Sequence, residues 1–216
     1  MEVIQVKDVC KSFKNHKVLN HVSIICNQGE CVGIVGRNGC GKTVLFKCIC
    51  GIYCPDDGEV FVDGKKKRND EILKNIGIII ENPAFIERYS GKKNLELLYE
   101  IRNKKDTEYI EDILRKVGLD PHLKDHVKKY SMGMKQRLAI AQAIMEKPNI
   151  LIFDEPMNGL DAHGVEDIRK LLLDLKKQGV TMLLASHNKE DIQLLCDKVY
   201  EMDAGEISEI KLRSRY

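Results

Sequence analysis

The sequence has no tryptophan, few aromatic residues and only five prolines. It also has no apolar run near the roughly 18 residues that a membrane-spanning helix needs. Residues 1–4 have neither the basic start nor the apolar centre of a secretion signal. Neither charge sign dominates, since 35 basic and 33 acidic residues leave a net charge of +2. We therefore expect a cytosolic domain with one hydrophobic core and no nucleic-acid partner.

The eight cysteines form no C-x-x-C pair, the spacing that most often indicates a metal site or a redox motif. Most of them lie within apolar strand or helix patterns, where a thiol packs as a small hydrophobe. We predict reduced, structural cysteines rather than disulfides or metal ligands. They occupy positions 10, 26, 31, 40, 48, 50, 54 and 196.

Short apolar runs separated by helical patterns predict an α/β fold built on a mostly parallel sheet. Alternating segments near the N-terminus predict an additional antiparallel β-subdomain, and a hairpin is expected across residues 203–205. The predicted strands are residues 2–9, 22–26, 31–35, 59–62, 76–80, 150–153, 180–185, 198–202 and 206–210.

Helical spacing replaces the strand pattern between residues 83 and 147. This stretch predicts an inserted helical subdomain, with Ser131 as the N-cap of its last helix. A further amphipathic helix is expected over residues 164–178. The predicted organisation is a single domain whose α/β core comprises residues 1–82 and 148–216.

A complete G-x-x-x-x-G-K-T sequence follows the apolar run at residues 31–35 directly. A strand, such a loop and then a helix form a phosphate-binding loop, because backbone N–H groups and the helix N-terminus face the anion. Lys42 would neutralise the β- and γ-phosphates, and Thr43 would be a ligand of Mg²⁺. The eight residues of the loop are Gly36, Arg37, Asn38, Gly39, Cys40, Gly41, Lys42 and Thr43.

Polar residues follow three buried strands, namely Glu81, the pair Asp154 and Glu155, and His187. The carboxyl ends of parallel strands share one sheet edge, so these side chains should converge on the loop. They suit hydrolysis of a nucleoside triphosphate, with Asp154 near Mg²⁺, Glu155 polarising water and His187 contacting the γ-phosphate. Taken singly, the acidic pair could be a helix cap, His187 an ordinary histidine and Glu81 a strand-end polar residue.

In this order the motifs resemble the ATP-binding subunits of ABC (ATP-binding cassette) transporters across nearly the whole chain. Residues 36–43 match Walker A, 130–134 the signature, 150–155 Walker B with its catalytic glutamate, and 158–161 the D-loop. The resemblance further implies that His187 is the switch histidine and that Phe13 stacks on adenine. It implies nucleotide contacts for Val44, Ser131, Gly133 and Asp161.

The sequence departs from the family pattern in three places. The signature keeps Ser131 and Gly133 but loses its first glycine and its glutamine, because Met132 and Met134 stand there. Glu81 replaces the usual glutamine at a proposed metal position, and Val44 replaces a hydroxyl residue. Residues 81–85 and 131–137 are similar to exporters of the lantibiotic-immunity and bacitracin-resistance type.

The resemblance implies ATP and Mg²⁺ as cofactors and a dimer in which the signature of one copy completes the other copy's site. A homodimer is the simplest expectation, bound to a separate permease at the cytoplasmic face of the membrane. The permease, and not this chain, would contact the cargo. The open alternatives are a weakly hydrolysing regulatory subunit and a soluble, non-transport ATPase of the same superfamily.

Two local features allow alternative interpretations. Cys40, close to Lys42, either fills a small-residue position or is an oxidisable thiol shielded by ATP. The basic residues 65–68 are either a solvated loop edge or a surface for anionic lipid or RNA. In both cases we expect the structural interpretation.

Overall fold

The computed structural model describes residues 1–67, 73, 75–81 and 84–211 of the chain. These residues contain ten strands and six α-helices. Among them, no helix combines the length and the apolar character needed to cross a membrane. The strands are β1 (Glu2–Phe13), β2 (His16–Asn27), β3 (Cys31–Val35), β4 (Asp57–Val62), β5 (Lys65–Lys66), β6 (Ile76–Ile79), β7 (Ile150–Asp154), β8 (Thr181–Ala185), β9 (Lys198–Asp203) and β10 (Glu206–Ile210). The helices are α1 (Lys42–Cys50), α2 (Gly91–Tyr99), α3 (Thr107–Lys116), α4 (Met132–Ile144), α5 (Ala162–Lys177) and α6 (Lys189–Leu195).

Two sheets confirm the predicted fold class. Strands β2, β1, β4 and β5 form an antiparallel sheet in that order. The second sheet has the order β10-β9-β3-β8-β7-β6, and only its β9–β10 pair is antiparallel. The central strands β3, β7 and β8 are apolar along nearly their whole length because both faces of this sheet are covered.

Strands β1 and β2 are longer than the predicted residues 2–9 and 22–26. They pair from Glu2–Asn27 to Phe13–His16, but the register shifts at several points along the ladder. The buried side chains change phase between Val6 and Val9 of β1 and between Leu19 and Val22 of β2, so the period-2 pattern is broken while the pairing continues. Strict alternation therefore predicts only part of each strand.

The helical stretch contains α2, α3, a 3-10 turn at Val127–Lys129 and α4. Its interior is apolar, with Leu95, Ile110 and Leu138 almost completely buried. Ser131 caps α4 as predicted, because its side chain accepts a hydrogen bond from the backbone N–H of Met134. The proposed start of this subdomain at residue 83, and residue 68 of the basic cluster, lie outside the described residues.

All eight cysteines are free thiols, and all except Cys54 are buried. Burial raises the pKa of Cys48 to about 11 and of Cys50 to about 12. Cys31 and Cys196 meet in the core with their sulfur atoms 3.8 Å apart. These thiols pack as hydrophobic side chains in the way the sequence pattern indicated.

Candidate functional site

The glycine-rich loop joins β3 to α1 and is shaped by close contacts behind it. Gly36 and Gly41 have φ angles of +152° and +117°. A β-carbon would lie 2.2 Å from the Met202 carbonyl oxygen at Gly36 and 2.9 Å from the Val18 carbonyl oxygen at Gly41. Both positions therefore require glycine, for conformation and for space.

The turn between β9 and β10 holds the rear of this loop. The backbone N–H of Gly205 donates to the carbonyl oxygen of Cys40 at 3.2 Å, and the N–H of Asn20 donates to the carbonyl oxygen of Gly205 at 2.8 Å. The phosphate-binding loop is thus fixed between β2 and the last hairpin. Its front, around Gly39, is open, since nothing lies within 4 Å of where a β-carbon would be.

Lys42 begins α1 and is 7% exposed. Its ammonium group donates to the carbonyl oxygens of Gly36 at 2.7 Å and Arg37 at 3.1 Å. Because the loop curls around it, the positive charge lies inside the curve of the backbone. This is the position in which a bound polyphosphate would be neutralised.

Thr43 and Asp154 meet at the edge of the cleft. The Thr43 hydroxyl donates to the Asp154 carboxylate at 2.5 Å. A hydroxyl and a carboxylate next to a phosphate site are hard oxygen donors, the set that Mg²⁺ prefers when phosphate oxygens and water supply its remaining ligands. The residues present therefore fit the ion implied by the sequence.

Glu155 follows β7 in a left-handed conformation with φ +53°, which is uncommon for a non-glycine residue. Its carboxylate lies 2.8 Å from His187 Nδ1 and accepts a longer bond, 3.4 Å, from the His187 backbone N–H. The Glu155 backbone N–H donates to Ala185 on β8. The structure therefore shows a direct contact between Glu155 and His187. The sequence predicted only that the two residues lie near each other at one sheet edge.

Glu81 lies at the same edge, but its carboxylate is paired with Lys47 of α1 at 2.6 Å. This hydrogen bond raises the Lys47 pKa. The Lys47 ammonium also lies 5.2 Å from the centre of the Tyr53 ring. Sequence reasoning missed this pair, in which the negative charge of Glu81 is balanced by a cation on the helix that follows the phosphate loop.

The front of the loop, Glu81, Asp154 and Glu155 border one cleft of about 380 Å³. Val18, Gln136 and Asn158 also line it. Val18 belongs to no predicted motif, whereas Asn158 begins the stretch that matches the D-loop and Gln136 lies in the signature region, although neither was predicted as a site residue. The Gln136 amide donates to the Pro156 carbonyl oxygen at 2.9 Å and so ties α4 to the segment after Glu155. Of the predicted site residues, the cleft is lined by Asn38, Gly39, Gly41, Lys42, Thr43, Val44, Glu81, Asp154 and Glu155.

The signature segment borders this cleft only through Met132, which is 64% exposed. Ser131 is exposed at the N-terminus of α4 and does not line the cleft. Gly133 packs against the turn of Gly159, where a β-carbon would lie 2.8 Å from the Gly159 carbonyl oxygen. The two residues expected to serve a nucleotide thus stand outside this copy's own phosphate site.

Six other predicted site residues also do not line the cleft, namely Phe13, Gly36, Arg37, Cys40, Asp161 and His187. Phe13 is 40% exposed and packs edge-to-face against Tyr53 at 5.3 Å between ring centres. Asp161 caps α5 by accepting from the Gly164 N–H at 2.9 Å. Cys40 is buried behind the loop, with its sulfur 4.0 Å from Lys42 Nζ. The roles of Phe13 and Asp161 in nucleotide binding stay predictions.

Comparison with known proteins is consistent with this geometry. The family model described as "ABC transporter" matches residues 19–158. An uncharacterized ABC transporter ATP-binding protein of Bacillus subtilis, YybJ, is 39% identical over 206 residues, covering 95% of this chain and 94% of that protein. The bacitracin transport ATP-binding protein BcrA of Bacillus licheniformis is 36% identical over 210 residues, covering 96% of this chain and 69% of that protein.

Solved structures agree in fold. One is described as the dimeric structure of a bacterial ABC transporter cassette. It is 26% identical to this chain with a TM-score of 0.88, and the match covers 98% of this chain and 100% of the solved chain. Another, with the same TM-score, identity and coverage, is a dimeric post-hydrolysis state bound to ADP and Pi. With a family model spanning most of the chain and relatives aligned over almost all of it, the protein belongs to the ABC transporter family of ATP-binding subunits.

Proposed function

We propose that this chain hydrolyses ATP at the cleft between its phosphate loop and Asp154, and that it powers a separate membrane permease. The observation that carries the chemistry is the convergence of Lys42, Thr43, Asp154 and the Glu155–His187 pair on one sheet edge. The family match supports the coupling to transport. The chain would act at the cytoplasmic face of the membrane as a peripheral subunit.

In this mechanism Glu155 is the general base. A water molecule attacks the γ-phosphorus, the bond from that phosphorus to the ADP oxygen breaks, and Glu155 accepts the proton that the water loses. His187 holds the Glu155 carboxylate in place through the 2.8 Å contact. Lys42 and the loop N–H groups stabilise the negative charge on the phosphate oxygens.

Thr43 and Asp154 would hold Mg²⁺, which supplies further charge neutralisation at the phosphates when it is bound. Glu81 Oε1 is bonded to Lys47 at 2.6 Å, so in this arrangement Glu81 has one carboxylate oxygen left to offer. We therefore assign Thr43 and Asp154 as the principal protein ligands and Glu81 as a secondary one.

Two copies of the chain would share each ATP. Ser131, which is exposed, and Gly133, which is half-buried against Gly159, stand at the start of α4, whose N-terminal dipole favours an anion. Since both residues lie outside their own copy's cleft, this helix end would contact the nucleotide that a second copy binds. The dimeric form of the solved cassettes supports this arrangement.

Mixing two inactive variants tests the shared site. Ser131→Arg should block the partner's nucleotide, and Lys42→Met should disable the variant's own site. In a mixed dimer one site carries both defects and the other carries neither, so an equal mixture should recover about a quarter of wild-type ATPase activity. Phosphate release by each variant alone and by the mixture measures this.

Ser90→Arg is the matched control, because Ser90 also caps a helix, accepting from the Lys93 N–H at 3.2 Å. It should lose a similar cap, worth about 1 kcal/mol, without losing activity. A mixture that stays as inactive as its two components would show that no site is shared between copies.

For the cargo we propose export of a peptide antibiotic. Two relatives named bacitracin transport ATP-binding proteins, 36% and 35% identical, support this choice. Met132 and Met134 in the signature and Glu81 at the metal edge keep the alternative of a weakly hydrolysing regulatory subunit open. The soluble, non-transport ATPase remains the other alternative.

A host strain lacking this chain should become more susceptible to bacitracin or to a lantibiotic. The inhibitory concentration should return to its original value with the wild-type gene but not with the Glu155→Gln variant, because export requires turnover. Susceptibility that does not change for either antibiotic class would argue against peptide export while leaving the ATPase proposal intact.

A further inference from the structure

A buried ion pair lies beneath the turn that carries His187. Arg169 of α5 donates through Nε and Nη2 to one Asp191 oxygen of α6, at 2.8 and 2.6 Å. The two side chains are 5% and 1% exposed. The sequence indicated neither residue, because an arginine and an aspartate 22 positions apart form no local pattern.

The remaining guanidinium donors reach the surface. Arg169 Nη1 and Nη2 donate to Glu166 and Glu190, each at 2.9 Å. Both of these carboxylates are about two-thirds exposed, so water screens them and they contribute little. Asp191 is therefore the partner whose position the buried guanidinium fixes.

The second Asp191 oxygen reaches the loop of the switch histidine. It accepts from the Ser186 hydroxyl at 3.2 Å, and that hydroxyl accepts from the Asn188 backbone N–H at 3.1 Å. Ser186 is 3% exposed. The residues on both sides of His187 are thus tied, through one hydroxyl, to the buried pair.

His187 itself has little else to orient it. Its side chain is 67% exposed, so packing does not fix the ring, while Nδ1 must stay 2.8 Å from Glu155. The direction of the ring is consequently set by the backbone of the turn. That backbone is held by Ser186 and Asp191.

We propose that Arg169, Asp191 and Ser186 are positioning residues that hold His187 against Glu155. The inference rests on the proposed role of the Glu155–His187 pair in hydrolysis. The alternative is that the Arg169–Asp191 ion pair only stabilises the packing of α5 against α6 and has no effect on His187, and the experiments below distinguish the two.

Ser186→Ala is the most selective test, since it removes one hydroxyl and leaves the ion pair in place. We expect kcat for ATP to fall about tenfold with KM unchanged, because a misplaced histidine loosens the catalytic carboxylate. Asp191→Asn should act in the same direction. Glu166→Gln is the matched control: it touches the same guanidinium from the exposed side and should leave kcat unchanged.

A double-mutant cycle with His187→Ala decides the mechanism. If Ser186 acts through the histidine, Ser186→Ala should lower kcat only when His187 is present. Equal losses in both backgrounds, or a Ser186→Ala protein with wild-type kcat, would overturn the positioning role. If His187→Ala itself has wild-type activity, the proposed role of the histidine fails as well, so the two failures are distinguishable.

Nuclear magnetic resonance gives a readout that does not depend on turnover. The Nδ1 resonance of His187, assigned by its loss in His187→Ala, should move towards that of a solvent-exposed histidine in Ser186→Ala and Asp191→Asn. Glu166→Gln should leave it in place. An unmoved resonance in Ser186→Ala, with a normal thermal unfolding transition, would contradict the proposal.

Discussion

Glu155→Gln should lower the turnover number for ATP by at least about 100-fold, the usual contribution of a general base. Glutamine has nearly the same shape but cannot take a proton from the attacking water. Its side-chain oxygen can still meet His187, so ATP should bind almost normally. Phosphate release under saturating Mg-ATP, together with a nucleotide-binding titration, separates the two effects.

Glu166→Gln is the control for this substitution, since Glu166 lies on the solvent-facing side of α5 with 68% of its side chain exposed. Its turnover should equal that of the wild type. If Glu155→Gln instead hydrolyses ATP as fast as the wild-type protein, the enzyme proposal fails. The regulatory-subunit alternative then becomes the better interpretation.

Lys42→Met should weaken ATP binding at least about tenfold, because it removes charge-assisted hydrogen bonds to the phosphates. Turnover should fall by about 100-fold or more, because the same ammonium stabilises charge that develops during the reaction. Methionine keeps most of the buried stem, so folding should be largely preserved. Titration with a fluorescent ATP analogue and a phosphate-release assay measure both quantities.

Lys177→Met is the matched control, because Lys177 is 76% exposed near the end of α5. It should bind and hydrolyse ATP as the wild type does. A Lys42→Met protein that binds ATP with unchanged affinity would show that the ammonium, seen bonded to Gly36 and Arg37, does not move to a phosphate.

The central strands β3, β7 and β8 were predictable because burial on both faces of the sheet makes each of them an apolar run along nearly its whole length. Strand β3 coincides with the predicted residues 31–35, and β7 and β8 differ by one residue at an end. Helix α6 was missed because Lys189–Leu195 is too short to show a helical period. Contacts distant in sequence, including the bond from Arg169 to Asp191, stabilise it.

The candidate site likewise has features that the sequence predicts and features that depend on tertiary packing. The loop motif and the strand-end residues Asp154, Glu155 and His187 are local signals, and the sheet topology brings them to one edge. The Lys47–Glu81 pair and the Gln136 contact to Pro156 depend on how helices pack onto that edge. No spacing in the sequence encodes such contacts, so only the structure could reveal them.

The hairpin of β9 and β10 holds the rear of the phosphate loop, and this has a consequence for biosynthesis. The loop is translated after about 40 residues, but the bond from Gly205 to Cys40 can form only when the hairpin has left the ribosome. Domains generally fold as whole units during synthesis. ATP should therefore not bind to nascent chains that end before residue 205, and binding should begin only after the hairpin emerges.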